Sequence, residues 1–210
     1  MKIELKNVTK KYKNNIILED VSVTFESSNI YLLIGENGSG KTTLLKLICG
    51  YINPSCGDII FDDKKLNKDI EIPNSIGCLI ENPSFIPNLS GYKNLKLLAD
   101  IKKKINKEDI ENTLKIVSLY EEKDKTYYKY SLGMKQKLGI AQAIMENPDI
   151  IILDEPFNAI DRQSKEKIIN FLIEQKENGK IIIISTHLND DLIKLLPTIY
   201  LVENKKVIKQ

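Results

Sequence analysis

The most informative eight residues of this chain are Gly35-Glu36-Asn37-Gly38-Ser39-Gly40-Lys41-Thr42. They lie between residues 30–34, an aliphatic run typical of a buried strand, and residues 43–48, whose apolar spacing is that of a helix. The glycines permit backbone conformations that a Cβ would hinder, so that successive N–H groups can turn toward phosphate oxygens. The helix adds its N-terminal amides and its dipole to the same anion site. The segment therefore predicts a strand, a phosphate-binding loop and a helix.

Lys41 and Thr42, which close this segment, carry side chains suited to a nucleoside triphosphate and a metal ion. In the pattern G-x-x-x-x-G-K-[ST], the lysine reaches the β- and γ-phosphates and the final hydroxyl binds Mg²⁺. We therefore predict a site for a nucleoside triphosphate with Mg²⁺. The residues predicted to bind the nucleotide here are Gly35, Asn37, Gly38, Ser39, Gly40, Lys41, Thr42 and Thr43.

The composition is that of a globular protein. The 210 residues are 42% apolar and 29% charged, which suits one α/β domain over residues 1–210. The net charge is +2, and the lysines are interspersed with acids, which argues against a nucleic-acid partner. The longest aliphatic runs, 150–153 and 181–184, are far shorter than the ~20 residues that cross a bilayer, and the N-terminus alternates like a strand rather than a signal peptide. We therefore expect a cytoplasmic protein.

The three cysteines, Cys49, Cys56 and Cys78, are odd in number and have no C-x-x-C spacing. This pattern indicates neither a disulfide framework nor a zinc site. We interpret them as small buried thiols, with Cys49 on the apolar side of the helix that follows the phosphate loop.

Hydrophobic spacing divides the chain into a sheet-forming core and a helical middle. Alternation predicts antiparallel strands at 2–8 and 21–25, whereas the aliphatic runs at 150–153 and 180–185 predict parallel strands. The loops, caps and apolar periodicity of residues 82–145 indicate a helical subdomain. Further predicted segments are a strand and turn at 57–63, a strand at 76–80, helices at 90–101, 106–117 and 163–178, and a hairpin around Asn204.

Three chemically suited side chains follow the two predicted parallel strands. Asp154 and Glu155 come after the run 150–153, and His187, the one histidine of the chain, comes after the run 180–185. Because ligands of open α/β sheets bind at the carboxyl ends of the strands, these groups should meet the phosphate loop. Beside a triphosphate, Asp154 can hold Mg²⁺, Glu155 can polarise the attacking water, and His187 can donate a hydrogen bond to the transferring group.

In this order, the motifs resemble those of the ATP-binding subunits of ABC transporters over residues 3–208. Residues 35–42 match the Walker A loop, residues 150–155 the Walker B strand, residues 158–161 the D-loop, and His187 the switch histidine. The resemblance implies an α/β fold with a RecA-like P-loop NTPase core, an antiparallel β layer and a helical subdomain. It also implies ATP and Mg²⁺ as cofactors, and ATP hydrolysis coupled to transmembrane transport.

Four more site residues are implied by the resemblance. Tyr12 stands where the family has an aromatic residue that stacks on adenine, although the sequence alone suits an ordinary aromatic at a strand end. Ser131 and Gly133 lie in the signature motif, which in this family contacts the γ-phosphate bound by the partner subunit. The sequence alone would also suit Ser131 as an ordinary helix cap. Glu81 replaces the Q-loop glutamine, and a carboxylate can ligate Mg²⁺ but cannot donate an amide hydrogen bond. We therefore predict Glu81 as a further metal ligand.

The departures from the family pattern point to a branch. Leu132 and Met134 replace the first glycine and the glutamine of the signature. With Glu81 and the segment Pro87-Asn88-Leu89-Ser90-Gly91, they resemble the bacitracin-resistance and lantibiotic-immunity branch, whose members export peptide antibiotics or clear them from the membrane. The resemblance implies a homodimer or a dimer with a related ATPase subunit, packed head to tail. It also implies separate transmembrane permease subunits and a peripheral location on the inner face of the cell membrane.

Two other functions stay open at this point. A non-transport ATP switch acts on DNA or ribosomes, but such family members carry long coiled-coil insertions or two domains per chain, and these 210 residues have neither. An inactive regulatory subunit would account for the altered signature, whereas Asp154, Glu155 and His187 favour an active ATPase. We expect a transport ATPase, with a switch or a weakly active regulatory subunit as the alternative.

Overall fold

The structure, a computed structural model, describes residues 1–70, 75–187 and 190–210. These residues contain ten β-strands and five α-helices. Three short 3₁₀ segments, Tyr120–Glu122, Tyr127–Lys129 and Asp190–Leu195, join them. Within these ranges no helix combines the length and the apolar character that a membrane span requires.

The larger of two sheets has six strands: β3 (Asn29–Ile34), β6 (Ile76–Leu79), β7 (Ile150–Asp154), β8 (Ile181–Thr186), β9 (Thr198–Glu203) and β10 (Lys206–Lys209). Their order across the sheet is β10-β9-β3-β8-β7-β6. Every neighbouring pair from β9 to β6 is parallel, and β10 returns antiparallel along β9. The two aliphatic runs therefore form adjacent central strands, and all five residues of β7 are buried.

The smaller sheet is antiparallel and has the order β2-β1-β4-β5. Its strands are β1 (Lys2–Tyr12), β2 (Asn15–Glu26), β4 (Cys56–Phe61) and β5 (Lys64–Lys65). The predicted strands at 2–8 and 21–25 thus form the part of a longer hairpin that lies away from its turn. Strand pairing continues through Lys10 and Lys11, with a register shift on each side of Lys10. Because these two residues are charged, the hydrophobic pattern does not extend to this part of the hairpin.

Helix α1 (Lys41–Ile48) begins at the predicted lysine and packs between the two sheets. Its apolar residues Leu44, Leu45 and Leu47 are all 0% exposed. Burying each such side chain contributes roughly 1.5–3 kcal/mol, so the helix that carries the phosphate loop is strongly anchored. The cysteines differ from the prediction, because Cys49 is buried whereas Cys56 is exposed and Cys78 is half-buried on the edge strand β6.

The remaining helices are α2 (Gly91–Lys102), α3 (Lys107–Ile116), α4 (Leu132–Ile144) and α5 (Arg162–Glu177). Each begins at a side chain that accepts a hydrogen bond from a first-turn amide. These caps are Ser90, Asn106, Ser131 and Asp161. The apolar residues of these four helices belong to a second buried cluster, on the opposite face of the larger sheet from α1.

A close contact joins the start of α2 to the residue before the α4 cap. The Tyr130 hydroxyl donates to the Glu122 carbonyl at 2.8 Å, and a Cβ added at Gly91 would overlap that hydroxyl oxygen. Burial raises the pKa of Tyr130 to about 12, so the phenol stays protonated and keeps donating at neutral pH. Gly91 is therefore required by the position of Tyr130.

We expect Gly91→Ala to lower the free energy of unfolding by about 1–3 kcal/mol, because the added methyl group forces Tyr130 from its place. In a Tyr130→Phe background the same substitution should cost clearly less, since the oxygen that it meets is gone. Urea unfolding of the four proteins of this cycle measures both costs. An equal cost of Gly91→Ala in the two backgrounds would contradict the packing described here.

Candidate functional site

The register of the larger sheet brings the ends of β3, β8 and β7 together. Leu33 of β3 pairs with Ser185 of β8, and Ser185 pairs with Asp154 of β7. Because the three strands are parallel, the residues that follow them emerge at one edge. The structure thus brings together the phosphate loop, the acidic pair Asp154 and Glu155, and His187.

The phosphate loop presents unpartnered donors at the start of α1. Gly38 and Gly40 have φ values of 80° and 109°, which side chains rarely adopt, and Gly40 occupies the cap position. No side chain among residues 1–70, 75–187 and 190–210 caps α1, so its first amides are open to an anion. Ser39 Oγ is buried and has no hydrogen-bond partner in the described part of the chain. A buried hydroxyl without a partner fits a loop made for phosphate oxygens.

The other predicted nucleotide-binding residues lie in the loop and in the first turn of α1. Lys41 is 5% exposed, and its ammonium donates to the carbonyls of Gly35 and Glu36 at 2.6 and 2.9 Å. Asn37 is exposed at the tip of the loop, and Thr43 is half-buried in the first turn of α1.

A chain of hydrogen bonds links α1 to the two central strands. Thr42 Oγ1 donates to Asp154 Oδ2 at 2.8 Å, and Ser185 Oγ donates to Asp154 Oδ1. Ser185 Oγ also accepts from the amide of Glu155 at 3.0 Å. Ser185, which is 0% exposed, was missed by the sequence analysis, although a serine after four isoleucines in a buried strand was a signal of a polar partner. The two oxygen ligands offered by Thr42 and Asp154 are of the kind that Mg²⁺ prefers.

The carboxylate of Glu155 is fixed on both sides. Its Oε1 lies 3.1 Å from His187 Nε2, and its Oε2 accepts from Asn158 Nδ2 at 2.9 Å. The backbone of Glu155 has φ 46°, a left-handed conformation that costs a residue with a side chain free energy. The buried amide of Gln136 supports it by donating to the Glu155 carbonyl at 3.2 Å. Asn158 and Gln136 are contacts that the spacing of the motifs did not reveal.

Glu81 lies near these groups but is paired with a cation. With Thr42, Asp154 and Glu155 it lines a cavity of about 330 Å³. Its Oε1 is 2.7 Å from the ammonium of Lys46 on α1. The predicted metal ligands therefore share one cavity, and the salt bridge with Lys46 occupies one oxygen of Glu81.

The remaining predicted residues, Tyr12, Ser131 and Gly133, do not line this cavity, although Leu132 does. Tyr12 ends β1 and is 48% exposed, with the Lys10 ammonium 4.8 Å from the centre of its ring. Ser131 caps its own helix by accepting from the Met134 amide at 3.2 Å. Gly133 packs against the carbonyl of Ala159, where a Cβ would overlap the oxygen. The signature segment and the D-loop of one chain are thus in contact.

An ion pair between a buried lysine and an exposed aspartate supports the same contact. The ammonium of Lys137 on α4 lies 3.0 Å from Asp161 Oδ2 and 3.1 Å from Ser164 Oγ. Hydrogen bonds from Ser164, and then the charge of Lys137, hold the pKa of Asp161 well below its usual range. This pair was also missed by the sequence analysis, since its members are 24 residues apart and belong to different helices.

Comparison with known proteins gives consistent matches. A protein-family model described as ABC transporter matches residues 18–158. The chain is 45% identical to the ABC transporter ATP-binding protein YybJ of Bacillus subtilis (92% of this chain, 88% of the relative). It is 37% identical to the bacitracin transport ATP-binding protein BcrA of Enterococcus faecalis (94% of this chain, 65% of the relative). It is 31% identical to the lantibiotic transport ATP-binding protein SrtF of Streptococcus pyogenes (98% and 89%).

Solved structures match over almost the whole chain. One is a dimeric ATP-binding cassette in a post-hydrolysis state with ADP and Pi. It has a TM-score of 0.88 and 26% sequence identity, and the match covers 99% of this chain and 97% of that one. The α/β fold with a RecA-like P-loop core, predicted from the motifs, is thereby confirmed.

Asn158→Ala removes one of the two groups that fix the Glu155 carboxylate. If Glu155 has the role predicted from the sequence, we expect the rate of ATP hydrolysis to fall by roughly tenfold to a hundredfold, because a loosely held carboxylate is poorly placed to polarise the attacking water. The affinity for ATP should stay unchanged, since Asn158 contacts Glu155 rather than the phosphate loop. Steady-state turnover and nucleotide titration measure the two quantities. Asn170→Ala, on the exposed face of α5, is the control, and an unaltered rate in Asn158→Ala would rule out the positioning role.

Proposed function

The chain belongs to the ABC transporter family as an ATP-binding subunit with ATPase chemistry, and from this premise we propose which residues bind and hydrolyse ATP and what the hydrolysis drives. The substrate that we propose is a peptide antibiotic or another hydrophobic compound, which is exported or against which the system gives immunity. The names of the enterococcal and streptococcal relatives support this class of substrate. The observation that carries the proposal is the meeting of the phosphate loop, Asp154, Glu155 and His187 at one sheet edge.

For nucleotide binding, we assign the phosphates to the loop and to the first turn of α1. The unpartnered Ser39 hydroxyl and the uncapped helix amides supply donors, and Lys41 supplies the positive charge. Tyr12 supplies the aromatic ring for the adenine. Mg²⁺ would be held by Thr42 and Asp154, with Glu81 as a further oxygen ligand. When bound, the metal neutralises charge on the β- and γ-phosphates.

For hydrolysis, Glu155 is the general base that takes a proton from the attacking water. Its contacts with Asn158 and His187 orient the carboxylate before the substrate arrives. Such preorganisation lowers the barrier, because little reorganisation remains to be done in the transition state. His187 is half exposed beside the loop and donates to the transferring phosphoryl group.

For assembly, we propose a head-to-tail dimer of two copies or of this chain with a related ATPase subunit. Ser131 and Gly133 of one subunit face the γ-phosphate bound by the other. The amides at the start of α4, a helix of 13 residues, give this segment the partial positive charge that an anion requires. The dimeric cassette among the similar structures supports this arrangement.

For coupling, we propose that a cytoplasmic loop of a transmembrane permease binds in one groove, at the inner face of the membrane. The groove, called the permease groove below, has a volume of about 380 Å³ and lies between the end of α1, β6, α2 and α4. Tyr51, Leu98, Ile101 and Met145 give it an apolar lining, and Ile101 is 76% exposed. Exposed apolar residues around a groove mark an interaction site, and Lys102 with Glu146 forms a charged rim at 3.0 Å. One wall of the groove is β6, the strand that leads to Glu81.

Glu155→Gln should keep ATP binding and lose turnover by at least about a hundredfold, because the amide cannot take a proton from water. Lys41→Ala should lose nucleotide binding itself, since it removes the charge that faces the phosphates. A titration with a fluorescent ATP analogue and a phosphate-release assay separate the two effects. Hydrolysis at the wild-type rate in Glu155→Gln would remove Glu155 from the role of base.

Ile101→Glu places a charge in the permease groove, and we expect the chain to lose its co-purification with a membrane protein from detergent-solubilised membranes. The hydrolysis rate of the isolated chain should not change, because Ile101 is remote from the phosphate loop. Ile208→Glu alters an exposed isoleucine of β10, outside the groove, and serves as the matched control. Retained co-purification of Ile101→Glu would exclude this groove as the permease site.

A further inference from the structure

A pair of thiols lies at the wall of the permease groove, at the end of α1 that is opposite the phosphate loop. Cys78 is half-buried on β6, and Cys49 is 1% exposed at the C-terminal end of α1. Both line the groove, as does Tyr51, whose hydroxyl oxygen is 2.9 Å from Cys78 Sγ. Cys78 is therefore reachable from solvent. Its two neighbours are Cys49, at the end of α1, and Tyr51, in the turn that follows α1.

The surroundings of the two thiols differ in a chemically important way. A hydrogen bond from the Cys49 thiol, and then one from the Tyr51 hydroxyl, lower the pKa of Cys78 to about 7 although burial opposes the shift. The same hydrogen bond and burial raise the pKa of Cys49 far above its usual value. Burial and the contact with Cys78 also raise the pKa of Tyr51, which keeps that phenol a donor. Of the two thiols, Cys78 is therefore the one that ionises near neutral pH, whereas Cys49 keeps its proton.

We propose that Cys78 is a peroxide-reactive thiol and that Cys49 is its resolving partner, so that a hydroperoxide converts the pair to a Cys49–Cys78 disulfide. Reactive cysteines are partly exposed and have donors that stabilise the thiolate, whereas structural cysteines are buried in apolar surroundings. Cys78 and its neighbours satisfy the first description. The reactivity of the pair does not depend on the proposed function, because no step of it involves ATP or a permease.

The chemistry requires one hydroperoxide, ROOH, per disulfide. The Cys78 sulfur attacks the terminal oxygen and breaks the O–O bond, so that the sulfur is oxidised to a sulfenic acid and the peroxide is reduced to the alcohol ROH. The proton that Cys78 lost on ionisation returns with the alcohol. The Cys49 sulfur then attacks the Cys78 sulfur, an S–S bond forms, the S–O bond breaks, and hydroxide leaves as water with the proton of Cys49.

The bond would join two elements that matter for the site. Cys49 ends the helix that begins at the phosphate loop, and Cys78 lies three positions before Glu81 on the strand that leads to it. Oxidation would tie these elements together and alter the wall of the permease groove. Both cysteines line the same wall of the groove, so the bond would form between neighbouring elements on one surface.

The test uses the full chain with Cys56→Ser, which removes the exposed third cysteine. The protein is treated with hydrogen peroxide, the free thiols are blocked with N-ethylmaleimide, and peptides are mapped by mass spectrometry without reduction. We expect a linked Cys49–Cys78 peptide pair that separates on addition of dithiothreitol. In a Cys49→Ala variant of the same chain, dimedone should trap the sulfenic acid on Cys78.

The rate of reaction gives an independent readout. A thiol of pKa about 7 reacts at pH 7 about threefold faster than an ordinary cysteine, because its larger thiolate fraction outweighs its weaker nucleophilicity. Tyr51→Phe removes a donor to the thiolate and should slow the labelling of Cys78 by iodoacetamide by a factor of about two or more. Circular dichroism checks that this variant is folded.

Two results would overturn the proposal. One is a Cys78 that stays reduced at peroxide concentrations that oxidise Cys56 of the unsubstituted chain, which would make the pair inert. The other is a stable sulfenic acid on Cys78 with Cys49 still free, which would remove Cys49 from the resolving role and with it the disulfide.

Discussion

The Ser185 hydroxyl, shared by the side chain of Asp154 and the amide of Glu155, fixes the geometry on which the site depends. This hydroxyl stands where it does because β8 pairs with β3 on one side and with β7 on the other in a single register. Buried apolar side chains, mostly isoleucines in β7 and β8, fill both faces of these strands, and a slip of β8 by one residue would separate Ser185 from both acids. The apolar interior of the sheet therefore positions a polar edge.

That polar edge is prepared for a ligand at some cost to the stability of the chain alone. The Ser39 hydroxyl is buried with no hydrogen-bond partner among the described residues, and a group of this kind costs about 1–3 kcal/mol. Glu155 has a left-handed backbone conformation, and no side chain in the described residues caps α1. A ligand with phosphate oxygens would satisfy the free hydroxyl and the first amides of α1. The same features that weaken the free loop thus favour the bound state, which is the arrangement expected of a site that captures a nucleotide.

Local signals predicted much of this protein from its sequence, and tertiary contacts account for the rest. The phosphate loop, its helix and the caps Ser90 and Ser131 depend on neighbouring residues, and their positions in the structure agree with the pattern. The full length of the β1–β2 hairpin was not predicted, because its hydrogen bonds continue through exposed lysines that carry no hydrophobic alternation. The contact of Gln136 with Glu155 depends on where α4 packs, which spacing along the chain does not reveal. Cys78 is half-buried rather than buried because β6 lies at the edge of its sheet.

The central claim is that one chain preforms the phosphate loop and the acidic pair, and that a second chain completes the site with Ser131 and Gly133. The most direct measurement is ATP turnover per subunit, at saturating ATP and Mg²⁺, over a series of protein concentrations. The account predicts that turnover per subunit rises with concentration and reaches a plateau where dimers form, as light scattering at the same concentrations would report. A turnover per subunit that is constant down to concentrations at which the chain is a monomer would contradict the composite site.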